Sequence, residues 1–179
     1  MTSVPEPKNI QRWLGLSNNH LDDKVPTELI YTDREENSVF AWGSHCNKRH
    51  RSFLKHSFKL NIASNTSNVA EYGHDISSAR QYFKDYITEV CAYVEGYLEN
   101  FVPKYKSYRV EFIFSIPTTW NFDTETLDEV KSIVRGVVGV SQDRKAGIGL
   151  TEAAAAAVDI GRKKFDKGDV ILVCDVSTL

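Results

Sequence analysis

The sequence predicts an α/β protein, a mixed sheet with flanking helices preceded by a β-hairpin near the N-terminus. Three observations carry that reading. Two β-branched and aromatic runs, at residues 25–31 and 39–43, flank a polar turn. One long segment repeats apolar residues at the helical period. From Tyr108 onward strand-like and helix-like segments alternate, the pattern that builds a sheet of mainly parallel strands joined by crossover helices.

Bulk composition narrows the function classes. At 179 residues the chain has the size of one ordinary domain, or of a piece of something larger. With 41% hydrophobic and 26% charged residues and a formal net charge of −2, it carries no field strong enough to imply nucleic acid or acidic lipid as a partner. No run approaches the roughly 18 consecutive apolar residues of a membrane span, and the first residues lack the apolar stretch of a secretory signal. The expected location is cytoplasmic or nuclear. Cys46, Cys91 and Cys174 form no Cys-x-x-Cys pair and read as reduced thiols, the latter two within apolar segments.

Residues 1–9, polar and broken by Pro5 and Pro7, read as a loose tail. Trp13, between Arg12 and Leu14 in a short apolar stretch, is expected to pack. Pro26 belongs at a strand start or an edge because it cannot donate to a ladder, and Asp33-Arg34-Glu35-Glu36-Asn37 makes a hairpin loop longer than two residues. His45, Cys46, His50 and His56 lie among basic residues, but their spacing matches no compact zinc pattern, and a short basic run is ordinarily a solvated face. Phe58-Lys59-Leu60 reads as the end of a third strand, and residues 64–75 as a polar loop.

The clearest helix follows. Ile76, Ala79, Phe83, Ile87, Val90, Cys91, Val94, Leu98 and Phe101 fall on one stripe, with Asp75 as N-cap and Pro103 as the stop. Tyr82, Tyr86, Tyr93 and Tyr97 form a second stripe, read as the flank of a packed interface rather than a platform for bases. Residues 110–117 read as a strand. Asp123 then caps a helix whose apolar face is Leu127, Val130, Val134 and Val137 or Val138. A short strand at 147–151, an alanine-rich helix at 152–165 and a fully apolar strand at 169–175, of the kind buried on both faces, complete the alternation.

The chemistry has to come from the acids. Glycines at 136, 139, 147 and 149 are not followed by Gly-Lys-Ser/Thr, and Gly147-Ile148-Gly149 lies inside a strand without a third glycine, so neither a P-loop nor a dinucleotide fingerprint is present. No Gly-x-Ser-x-Gly elbow supports triad hydrolysis. Glu152 opens a helix just after a strand, with Thr151 as N-cap. It reads either as a helix-dipole partner or as a carboxylate at a sheet mouth, able to orient a water or a hydrated metal against a phosphate. Asp175, ending the apolar strand, carries the same two readings: a turn cap or a ligand to a metal-phosphate group.

Three segments in order, Phe114-Ser115-Ile116-Pro117-Thr118-Thr119-Trp120, Leu150-Thr151-Glu152-Ala153-Ala154-Ala155-Ala156 and Asp169-Val170-Ile171-Leu172-Val173-Cys174-Asp175, resemble landmarks of the heat-shock protein 70 nucleotide-binding domain, in particular its divergent 12A/12B-like, fungal-type branch. The likeness extends upstream to Lys24-Val25-Pro26-Thr27-Glu28-Leu29-Ile30-Tyr31 and Ala41-Trp42-Gly43, and spans roughly residues 10 to 176. It implies an actin-like ATPase lobe of ribonuclease-H type, incomplete here, with Mg-ATP as the family's cofactor, and unfolded client proteins and co-chaperones as its partners. By resemblance Glu152 takes the place of the water-orienting, metal-linked catalytic glutamate. Asp175 takes that of the nucleotide-binding aspartate opening the second phosphate loop, and of a metal ligand, and Lys59 that of the catalytic lysine. Thr118 and Thr119 take structural places. The implied organisation is a tail at 1–9, a partial first lobe at 10–117, and a crossover helix with the start of a second lobe at 118–179.

The departures from the family pattern bear on activity. No Asp-x-Gly-Thr-Thr loop precedes residue 10, Val176-Ser177-Thr178-Leu179 stands where a glycine-rich turn belongs, and Ala153 follows Glu152 where a proline is usual. Glycines let a backbone approach phosphate and its N–H groups cradle it. The isolated chain is therefore expected to be inactive and to hold neither ATP nor Mg tightly, as a truncated chaperone domain prone to self-association through uncovered sheet edges. The alternatives are a non-catalytic protein-interaction module on the same scaffold, and an unrelated α/β domain whose acids are structural.

Overall fold

The computed structural model describes residues 9–16, 20–22, 24–33, 36–46, 53–62, 73–117, 120 and 124–161. It is a mixed α/β structure of helices and small sheets. The chain divides into two compact units, one ending at Lys59 and the other beginning at Leu60.

The first unit is built on β1 (Glu28–Tyr31), the central strand between β2 (Val39–Trp42) and β3 (Leu54–His56), in the order β2-β1-β3. Both pairings are antiparallel, with Leu29 opposite Trp42 on one side and Lys55 on the other. The expected hairpin is thus present. Its loop is closed by Thr32, whose N–H donates to the Ser38 carbonyl at 2.9 Å, and by Asp33, whose carboxylate accepts the Asn37 N–H at 3.2 Å. Leu29, Ile30 and Tyr31 are all buried, as are Ala41, Trp42 and Phe58, so a central strand with consecutive apolar residues fills both of its faces. Gly15 lies against the backbone of His45 at φ +88°, and a Cβ there would come within 2.5 Å of His45 Cα, so only glycine fits.

The third strand differs from expectation. Phe58-Lys59-Leu60 belongs to a 3₁₀ turn, Phe58–Asn61, and β3 ends earlier. The cause is Ser57, which sits at φ +56° and turns the chain out of the extended region.

The second unit holds α1 (Ile76–Phe101), β4 (Val110–Ile116), α2 (Thr124–Val138), β5 (Arg144–Thr151) and α3 (Glu152–Gly161). Asp75 caps α1 as expected, its carboxylate accepting the Ser78 N–H at 2.7 Å. The helix ends at Phe101, two residues before Pro103. Ala79, Phe83, Ile87 and Cys91 are buried along its stripe; Tyr82 and Tyr86 are buried beside them, while Tyr93 and Tyr97 of the same flank are half-buried. Phe83 meets Trp120 edge-on at 6.0 Å, and His74 meets Tyr82 in the same way at 5.2 Å.

Strands β4 and β5 pair in parallel, with α2 as the connection between them. Alternate residues of β4 divide cleanly: Phe112 and Phe114 are half-buried and Ile116 is buried, while Glu111, Ile113 and Ser115 are exposed. Helix α2 buries Thr126, Val130, Val134 and Val138. Leu127 and Val137 are only half-buried, so the apolar face runs along a strict four-residue spacing. The strand expected at 147–151 starts three residues earlier, at Arg144, and Asp123, Thr118, Thr119 and the strand expected at 169–175 lie outside the described residues.

Candidate functional site

The site begins where β5 ends. Thr151 is the last residue of β5, Cα-paired with Ile116 of β4, and its hydroxyl accepts the Ala154 N–H at 3.2 Å. That bond satisfies one of the donors a helix leaves unpaired at its start, so the alanine-rich run winds into α3 from this point. Glu152 is the first residue of α3 and half-buried. Its carboxylate therefore stands at the carboxyl end of two parallel strands and at the positive end of a helix dipole.

One side chain fixes the far end of β5. Arg144 pairs with Glu95 of α1, donates through Nε to the Val138 carbonyl at the end of α2 at 3.1 Å, and lies 5.7 Å from the centre of the Phe112 ring on β4. The strand start is bonded further through Val110, whose N–H donates to the Asp143 carbonyl at 2.8 Å. With its beginning held to two helices and its neighbour strand, β5 delivers Thr151 and Glu152 to a fixed place.

The other expected site residues fall elsewhere. Lys59 is half-buried in the 3₁₀ turn that follows β3, at the end of the first unit, whereas Glu152 belongs to the second. Asp175 lies outside the described residues. Among the described residues no three His, Cys, Asp or Glu side chains gather to hold a metal ion, and His50 is outside them.

The two cysteines among the described residues, Cys46 and Cys91, are poor nucleophiles. Burial, then the charge of Glu28, pushes Cys46 up to about 12. Burial pushes Cys91 up to about 11, against a smaller opposing effect of Arg144. Both stay protonated at neutral pH, the inert state of a packed cysteine.

Sequence reasoning did not single out Arg80 and Lys84, which line an open groove between α1 and α2. Their signal was an i, i+4 pair of cations beside the apolar stripe, which on sequence alone is indistinguishable from a solvated flank. No family model, curated protein or solved structure matches the chain.

Proposed function

We propose that the chain carries part of a heat-shock protein 70-like nucleotide-binding domain of the actin-like ATPase type, with Glu152 in the place of the carboxylate that orients water and metal. The observation that supports this most is the junction of β5 and α3. A carboxylate opening a helix at the end of a parallel strand, after a β4-α2-β5 unit whose segments resemble those of the family in order, is what such a site requires locally. The same reading makes the parental activity ATP hydrolysis coupled to protein folding, with client proteins and co-chaperones as partners.

The residues present do not make a complete Mg-ATP site. Phosphoryl transfer depends on positioning and on charge stabilisation by metal and loops. Here Glu152 is the one acid of the proposed pair among the described residues, and the sequence offers no glycine-rich loop to receive phosphate. The 179-residue chain is therefore expected to show no saturable heat with Mg-ATP in the micromolar range by calorimetry. Micromolar affinity abolished by Glu152→Ala would overturn that expectation.

The family reading itself is tested separately, by position. A paramagnetic label on Asp175→Cys, in a background without the native thiols, is expected to broaden the amide signals of Glu152 and Ala153. Broadening at Arg144 and Lys145 instead would put the two acids at opposite ends of the sheet and remove the reading.

A non-catalytic interaction module is the second reading, and one observation favours it. Ile113 is 68% exposed at the middle of β4, above Gly149 of β5, so the outer face of this sheet presents an aliphatic side chain to solvent.

A further inference from the structure

The groove between the first half of α1 and the middle of α2 is open to solvent and has a volume of about 650 Å³, in the size range of roughly 300–1,000 Å³ of small-molecule sites. It belongs to neither the Glu152 junction nor the exposed face of the sheet. Arg80 and Lys84, one helical turn apart on α1, stand on its first wall, and Glu129 and Ser132 of α2 on the second. Ile76 and Ile133, both half-buried, give it an apolar lining. Around Gly136 it stays open, since a Cβ there would meet no heavy atom within 4 Å.

Charge decides what such a groove would take. Arg80 and Lys84 carry no ion pair among the described residues, and Nε of Arg80 is shielded from water with no acceptor. A buried guanidinium N–H without a partner is an exception that folded proteins rarely keep. An anion entering the groove supplies the acceptor once the guanidinium turns toward it. Two features distinguish among anions. Glu129 lines the groove with the two cations, and the carboxylate of Asp75 caps α1 beside Ile76, so two negative charges offset the two positive ones and little net attraction is left to repay the desolvation of a second ligand charge. The planar fork of Arg80 matches a carboxylate in bidentate fashion, and the two isoleucines accept an apolar body.

We infer that this groove is a binding site for a small organic carboxylate: the carboxylate on Arg80 and Lys84, its second oxygen within the reach of Ser132, and its hydrocarbon part against Ile76 and Ile133. The inference is independent of the ATPase reading, because none of these residues belongs to the Glu152 junction.

The test is a titration of the full chain with hexanoate, followed by amide chemical shifts, with hexanol and inorganic phosphate as comparison probes. Hexanoate is expected to give saturable shifts confined to residues 76–84 and 129–136. Arg80→Gln should weaken it about tenfold, as loss of a charged hydrogen bond does, and Lys84→Gln by about threefold. Glu129→Gln should tighten it by about threefold, because a repelling charge is removed. That opposite sign is what a merely structural role for the groove does not give. The inference is overturned by the absence of saturable shifts, by equal responses to hexanol or to phosphate, or by a Glu129→Gln variant that binds no better than the parent. Should Arg80→Gln lose its helicity, the Glu129→Gln response and the hexanol comparison still decide.

Discussion

Asp75 illustrates how much one residue can be made to say. It is fully exposed, yet its carboxyl is held below the usual carboxylate range, first by the Ser78 backbone N–H, then by the Ser78 hydroxyl, with the charge of His74 a lesser contribution. A group whose pKa is lowered on folding stabilises the fold above its unfolded value, near ~4, and that contribution is lost as pH falls through the folded pKa. Asp75→Asn keeps a capping side chain and removes the charge. The melting temperature of the parent should therefore exceed that of Asp75→Asn at pH 7, and the gap should close on acidification below pH ~4. A gap that is constant with pH would mean that the carboxylate's charge does not matter. The cap could be read from sequence because all of its partners lie within three residues. The Arg144 pairing with Glu95 could not, since the two are 49 residues apart and neither belongs to a recognisable motif.

At the scale of elements, α2 shows where pattern reading succeeds and where it stops. The helix was legible from its apolar period, but the choice among neighbouring valines was not, because a three- and a four-residue step both fit the heptad-like spacing. The structure selects Val134, fully buried, and Val138 over the half-buried Val137. Val134→Ala should cost about 2 kcal/mol in chemical denaturation, the loss of two buried methyl groups with the cavity they leave, and Val137→Ala less than half of that. Equal costs would mean that the helix is rotated relative to its sheet. The 3₁₀ turn at Phe58 teaches the same limit. An apolar, polar, apolar triplet fits a strand, but it fits a tight turn as well, and only the left-handed backbone at Ser57 distinguishes them. For the candidate site, the strand-to-helix junction was legible because Thr151 and Glu152 carry a local capping signal. What lies near Glu152 in space depends on folding over long separations, which periodicity does not encode.

At the scale of the molecule, the sheets among the described residues are small. Among the described residues β4 and β5 form a two-stranded parallel sheet, an arrangement that in α/β proteins is normally continued and covered on both faces. The outer face of β4 exposes Ile113 between Glu111 and Ser115. If that face associates with a second copy or another protein, sedimentation at rising concentration should show self-association in the parent and a monomer for Ile113→Asp, with the helical signal unchanged. A concentration-independent monomer for the parent would leave the interaction reading without support. Among the described residues, no helix is long and apolar enough to cross a membrane.

Arg144 has one more implication, which concerns the order of assembly. Its partners come from α1, from the last turn of α2 and from β4, so its interactions are complete only after the long loop between Glu95 and β5 has closed. Closing that loop costs entropy before any of the three contacts repays it. The strand-helix-strand unit should therefore not reach its final register ahead of α1. The capped helix, whose backbone hydrogen bonds and cap are local, can form first and serve as the template on which β5, and with it Glu152, is set.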